Sequence, residues 1–224
     1  MFKKKFPFGV VRIPWRNEFV EGAMLEPVNT VLKAVRRLSL LRGDHVLVAG
    51  QGPIGLIFTR LLTLAGMRVV GTDLLPERLK LARTWGARLA LTASEPARLE
   101  ARIERFTRGR GLDAAVIAVP SDTALHHGMS MLRGGGELLL FAHTRRGPAT
   151  AVDLASVCVD EKDLLGCYSA DITLQRETAK IVFRRHLDVR SLATHFLDLG
   201  EVDKAIALAS SPSPESLKVF VTQQ

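Results

Sequence analysis

Between residues 46 and 142, apolar runs of strand length alternate with stretches of helical periodicity, and this order constrains the fold more than any other feature of the chain. A buried apolar strand followed by an amphipathic helix, repeated, packs as a parallel sheet with crossover helices. Residues 46–50 (Val-Leu-Val-Ala-Gly) read as the first strand, 53–65 as a helix and 67–72 as the second strand, ending at Asp73. Pro76 opens a helix that Gly86 closes, following the preference for proline at helix starts and glycine past helix ends. A short strand is expected at 88–91, an arginine-rich helix at about 95–107 and a strand at 114–119, with Asp122 as the N-cap of the next helix. Gly134, Gly135 and Gly136 break that helix before a strand at 138–142. A sixth strand is expected at 163–168 and a helix at about 172–186. The expected fold class is α/β, a doubly wound parallel sheet.

Two end segments fall outside this alternation. Residues 1–21 form one; residues 188–224 form the other and read as a strand, a helix at about 201–210, a Ser-Pro-Ser-Pro turn and a last strand at 217–221. They are expected to belong to a second, mostly β unit. With 224 residues, 47% hydrophobic and 24% charged, the chain can bury a substantial core, which excludes disorder and small disulfide scaffolds. Cys158 and Cys167, nine residues apart, match no zinc-finger spacing, and a reducing compartment suits them. The apolar stretch 46–66 is interrupted by Gln51, Pro53 and Arg60, so no membrane span is expected. Lys3, Lys4 and Lys5 precede an apolar run that ends at Arg12 without a cleavage pattern, so a secretory signal is not expected and a cytoplasmic location is. The net charge of +8 comes from 22 arginines and nine lysines scattered along the chain. The densest group, Arg98 to Arg110, is interleaved with Glu95, Glu100 and Glu104, as on a solvated helix face. No basic stripe with interleaved aromatics occurs, so no nucleic-acid partner is expected.

The sequence Gly50-Gln51-Gly52-Pro53-Ile54-Gly55 fits G-x-G-x-x-G, a weak pattern in isolation. Its context strengthens it: the first glycine ends an expected strand, the third lies in the first turn of an expected helix, and Asp73 ends the next strand eighteen residues after Gly55. Gly50 permits a tight turn, Gly52 leaves room for a pyrophosphate and Gly55 lets helix and strand pack closely. Phosphates would then sit at a helix N-terminus, where free N–H groups and the macrodipole favour negative charge. Asp73 would accept hydrogen bonds from both ribose hydroxyls and repel a 2′-phosphate, which favours NAD over NADP. Two other readings share parts of the pattern. The glycines could serve only a turn, with Asp73 capping the helix at Pro76. S-adenosylmethionine methyltransferases also have a glycine-rich first loop and an acid ending the second strand, but an acid is usual within their first strand, where Val46–Ala49 are all apolar here.

Glu26-Pro27 on a helix, Arg42-Gly43-Asp44 leading into Val46–Gly55, then Thr72-Asp73 and Arg78, resemble the zinc-type medium-chain dehydrogenase/reductases, nearest the sorbitol and threonine dehydrogenase branch of the alcohol dehydrogenase superfamily. Thr194-His195-Phe196 and Ser216–Val219 are similar to that family's chain end. The resemblance covers roughly residues 20–224. It implies a Rossmann domain in which Gly50, Gly52, Pro53, Ile54 and Gly55 bind the cofactor, Asp73 binds the adenosine ribose and Arg78 flanks the adenine. Phe141, Ala142 and His143, ending the fifth strand, would pass the nicotinamide, with Tyr168 nearby on the sixth. Ala142 stands where relatives often have Gly, and Ser169 where sorbitol dehydrogenases have Arg. The resemblance further implies a homodimer through the edge strand at 163–168, an alcohol or polyol substrate, and hydride transfer from a secondary alcohol to NAD.

Members of this family carry an N-terminal barrel-like domain with catalytic zinc ligands, a Cys and a His-Glu pair, and these do not occur in this chain ahead of Glu26. Zinc, expected in the intact family, therefore lacks its main ligands here. Glu26 is the one metal-site candidate, because the Glu of the Glu-Pro pair sits at the zinc in the sorbitol dehydrogenase branch; a first-turn glutamate favoured by the helix dipole is the other reading. His126 and His127 are adjacent on a helix and point about 100° apart, poor geometry for one metal. No catalytic residue is assigned. The expectation is residues 1–21 as a remnant of the catalytic domain, 22–187 as the NAD-binding domain and 188–224 as a return segment. Such a chain is expected to bind NAD and to be catalytically incomplete alone. A non-catalytic NAD-binding module remains a second expectation.

Overall fold

A computed structural model of the chain describes residues 9–143, 145–211 and 213–223. Residues 1–8 of the N-terminal segment and Pro212 of the Ser-Pro-Ser-Pro turn lie outside it. Contacts divide the chain into two units, one running from Lys33 to Ser169 and the other formed by the segments up to Leu32 and from Ala170.

The Lys33–Ser169 unit holds six strands: β1 (His45–Ala49), β2 (Arg68–Asp73), β3 (Leu89–Thr92), β4 (Leu112–Ile117), β5 (Leu132–Leu140) and β6 (Asp163–Gly166). Their order is β3-β2-β1-β4-β5-β6 and every pairing is parallel. This is the doubly wound Rossmann arrangement, with the chain reversing its direction of travel between β1 and β4. The strands read as continuous apolar runs because helices cover both faces, and Val46, Val48, Val69, Val70 and Val116 are fully buried. The helix Pro53–Leu64 seals its face with Leu56, Ile57, Phe58 and Leu62, all at 0% exposure. Each such side chain stabilises the fold by roughly 1.5–3 kcal/mol.

Helices α1 (Phe19–Ala23) and α2 (Leu25–Arg37) precede β1. Between strands come α3 (Pro53–Leu64), α4 (Pro76–Thr84), α5 (Pro96–Thr107), α6 (Asp122–Met131) and a short α7 (Leu154–Cys158). Proline stands at the start of α3, α4 and α5, where its missing N–H costs nothing.

Four local expectations need correction. Ser121, not Asp122, caps α6: its backbone is extended and its Oγ accepts from the Ala124 N–H at 3.2 Å, leaving Asp122 in the first turn. The three glycines do not break that helix, which ends at Met131. They lie inside β5, where Leu112 pairs with Leu132 but Ala114 pairs with Glu137, so residues 133–136 bulge out. Gly135 at φ +66° and Gly136, whose Cβ would meet the Arg133 carbonyl at 2.9 Å, make that bulge. The sixth strand stops at Gly166, opposite the last residue of β5, so Tyr168 lies beyond it. The helix expected at 172–186 is a 3-10 turn (Ile172–Leu174) followed by α8 (Gln175–Phe183).

In the other unit, β7 (Ala193–Asp198) and β8 (Lys218–Thr222) pair in parallel and are joined through α9 (Val202–Ser210). Buried Glu21 anchors this unit through Arg185 at 3.1 Å and Asn17 at 2.8 Å. Asn29 clamps the Asp171 backbone, donating to its carbonyl at 2.9 Å and accepting from its N–H at 2.8 Å.

Candidate functional site

The glycine turn joins β1 to α3 at the point where strand order reverses, and its three glycines serve different needs. Gly50 has φ +90°, its N–H donates to the Thr72 carbonyl at 2.7 Å, and a side chain there would collide with Val119 after β4. A Cβ on Gly55 would overlap the Gly50 carbonyl. Gly52 differs: its φ is an ordinary −69°, and a Cβ would meet only the Arg78 Nη1 at 3.7 Å. The fold therefore requires glycine at 50 and 55 and leaves open space at 52.

Gly52 is the N-cap of α3 and Pro53 its first residue, with no side chain capping the helix. The N–H groups of Ile54 and Gly55 precede the first intrahelical bond, from Leu56 to the Gly52 carbonyl at 2.9 Å. A half-exposed Ile54 adds an apolar wall. Such an end favours an anion.

Asp73 ends β2 with 8% of its surface exposed. Its Oδ2 accepts from the Gln51 N–H at 2.7 Å and its Oδ1 from the Leu75 N–H at 3.0 Å. Each oxygen keeps a second lone pair for a further donor. The Arg78 Nη1 lies 3.9 Å from Asp73 Oδ2, beside the space at Gly52. The structure thus brings Gly50, Gly52, Pro53, Ile54, Gly55, Asp73 and Arg78 around one turn.

Phe141, Ala142 and His143 follow the last residue of β5, and the Phe141 and Ala142 N–H groups both donate to the Ile117 carbonyl at the end of β4. Phe141 packs edge-to-face on Phe58 of α3, ring centres 5.0 Å apart, which ties this segment to the glycine-turn helix. An open cleft of about 570 Å³ lies outside the carboxyl ends of β5 and β6, lined by Phe141, His143, Arg145, Arg146, Cys167 and Tyr168. Tyr168 is 77% exposed, and its carbonyl accepts from Lys33 Nζ at 3.0 Å. His143 Nε2 stands 3.7 Å from Asp122 Oδ1. Ligands of open α/β sheets bind in such crevices at carboxyl strand ends.

Glu26 sits in the first turn of α2, exposed, with Oε1 accepting from Thr30 Oγ1 at 2.8 Å. Among the described residues no group of three or more His, Cys, Asp or Glu side chains could hold a metal ion. The donor set for zinc is therefore not assembled around Glu26 by the described residues.

Sequence reasoning missed Gln51 and Thr59, which lie buried beneath the turn. The cue was the polar residue between Gly50 and Gly52, at the mouth of an apolar strand. It also missed Asp113, whose carboxylate takes two hydrogen bonds from Arg110 at 2.6 and 2.7 Å, one from Arg133 Nε at 2.8 Å and the His45 N–H at 2.8 Å. Burial pushes this carboxyl up, but those donors outweigh it and hold the pKa at about 2.

A family model described as zinc-binding dehydrogenase matches residues 53–184. Erythritol/L-threitol dehydrogenase of Mycolicibacterium smegmatis is 32% identical over 206 residues, which are 88% of this chain and 54% of that protein. Sorbitol dehydrogenase of Ovis aries is 29% identical over 216 residues, 94% of this chain and 58% of that protein. Among solved structures, an alcohol dehydrogenase from Thermotoga maritima superposes with a TM-score of 0.87 at 25% identity, covering 96% of this chain and 60% of that one. The chain thus spans between half and two thirds of the length of the proteins it matches. No helix among the described residues is long and apolar enough to cross a membrane.

Proposed function

The chain belongs to the zinc-binding dehydrogenase family, and from that premise we propose that it binds NAD(H) at the Gly50–Gly55 turn as the cofactor-binding part of an alcohol or polyol dehydrogenase. The observation that carries this reading is the contrast among the glycines. Packing accounts for Gly50 and Gly55, whereas no neighbour among the described residues crowds a side chain at Gly52, and a bound ligand would give it a reason to lack one. A pyrophosphate at the uncapped start of α3 is that reason.

Asp73 supplies acceptors for the adenosine ribose hydroxyls and negative charge against a 2′-phosphate, which supports NAD over NADP. Arg78 flanks the adenosine end. Phe141, Ala142, His143 and Tyr168 border the nicotinamide end, and the cleft beside them admits a small alcohol. Hydride acceptance from a secondary alcohol carbon is the chemistry a bound nicotinamide would supply; this chain's residues would bind and orient it. Glu26 as a zinc ligand requires further donors that the described residues do not assemble, so no catalytic step is assigned to it. In this reading residues 22–187 form the cofactor domain, and residues 1–21 and 188–224 belong with the catalytic domain.

The exposed edge of β6, with Leu164 40% exposed, supports a homodimer formed by continuing the sheet. Calorimetric titration of the chain with NAD⁺ and with S-adenosylmethionine tests the reading. Saturable one-site binding of NAD⁺ alone is expected. Binding of S-adenosylmethionine without NAD⁺ would overturn it in favour of a methyltransferase.

A further inference from the structure

Gln51 lies in the middle of the glycine turn, yet it is fully buried. A buried amide is costly unless paired, and this one is paired at both ends. Its Nε2 donates to the Val48 carbonyl at 2.9 Å and its Oε1 accepts from Thr59 Oγ1 at 2.9 Å, which ties the turn to β1 and α3. Its backbone N–H donates to Asp73 Oδ2 at 2.7 Å. The side chain also shapes β2: a Cβ on Gly71 would stand 3.0 Å from Gln51 Cδ and 3.1 Å from Nε2. Gly71 has no left-handed φ, so its backbone makes no demand for glycine. The room its missing side chain leaves is taken up by the Gln51 amide on one side and by the Ala82 Cβ, 3.3 Å from the same point, on the other.

We propose that Gln51 is a positioning residue for cofactor selection: its buried amide roots the turn so that its N–H aims the Asp73 carboxylate, and discrimination between a ribose hydroxyl and a 2′-phosphate depends on it. This rests on the cofactor reading of the turn. The side chain, having no exposed surface, acts through Asp73 and not by touching the dinucleotide. Gln51 and Gly71 form a matched pair, one filling the space the other leaves.

The test compares the chain with Gln51→Ala, Gly71→Ala and the double variant, by calorimetric titration with NAD⁺ and NADP⁺ and by thermal melting. Gln51→Ala is expected to lose on the order of tenfold in NAD⁺ affinity with a smaller change for NADP⁺, narrowing the preference. Gly71→Ala is expected to lower Tm in the parent chain, and to lower it less in the Gln51→Ala background, where the contact with Ala82 alone remains. A folded Gln51→Ala that keeps the parent NAD⁺:NADP⁺ ratio overturns the proposal, and so does an equal loss for both dinucleotides, which would make the role structural only. Should Gln51→Ala not fold, Thr59→Val removes one of its partners at similar size; a narrowed ratio there supports the proposal and an unchanged one overturns it. A parent chain that binds neither dinucleotide overturns the cofactor reading itself, and Gln51's role with it.

Discussion

The carbonyl oxygen of Gly50 occupies the place where the first side-chain atom of any larger residue at position 55 would stand. Helix α3 can follow β1 at this angle only while residue 55 is glycine. Gly55→Ala is expected to cost about 3 kcal/mol or more, because backbone and not a flexible side chain must give way. Gly52→Ala, three residues earlier, puts its Cβ in ordinary contact with Arg78. It is expected to leave Tm within a few degrees while NAD⁺ affinity falls on the order of tenfold or more. Melting and titration of the two variants separate the glycine the fold needs from the one the ligand needs.

Asp113 gives the chain an acid limit. Its folded pKa of about 2 lies below the ordinary 3.8, so its contribution is complete above pH 3.8 and is lost as pH falls towards 2. The shift corresponds to about 2 kcal/mol. His45, beside it, has its pKa lowered by burial and by Arg110, so it adds a loss that starts as pH drops below 6.5. Stability measured by urea denaturation is expected to fall in both windows, and Asp113→Asn is expected to shrink the lower one, leaving the part that Glu21 contributes.

Asp113→Ala itself leaves Arg110 and Arg133 facing a space without their carboxylate and the His45 N–H without its acceptor. A loss of about 3 kcal/mol is expected. A loss below about 1 kcal/mol would show that solvent takes over from the carboxylate, as at exposed pairs.

The β6 edge predicts an oligomer. Leu164→Asp places a charge on an exposed position of that strand. Sedimentation is expected to show a dimer for the parent chain and a monomer for the variant, with NAD⁺ affinity unchanged. A parent chain that is already monomeric would remove this interface.

Much of this was legible from the alternation of apolar runs and helical patterns, because a parallel sheet covered on both faces leaves its strands almost wholly apolar. Asp73 could be located by its distance from Gly55, since the length of α3 and its return loop fixes that spacing. Gln51 and Thr59 could not be paired, because a contact beneath a turn has no periodicity. Asp113 lay just outside the strand expected at 114–119. Its role depends on a bulge in β5, which brings Arg133 alongside only once the sheet has formed. Ser121 and Asp122 are both good capping residues, and the extended backbone at Ser121 decides between them.

Selection of NAD at this turn, as proposed, runs through Asp73. Calorimetric titration with NAD⁺ and NADP⁺, repeated on Asp73→Ala, tests it most directly. Saturable binding that favours NAD⁺ is expected in the parent chain, and a lost preference in the variant. Equal affinity for the two dinucleotides in the parent, or a preference that survives the loss of Asp73, would contradict it.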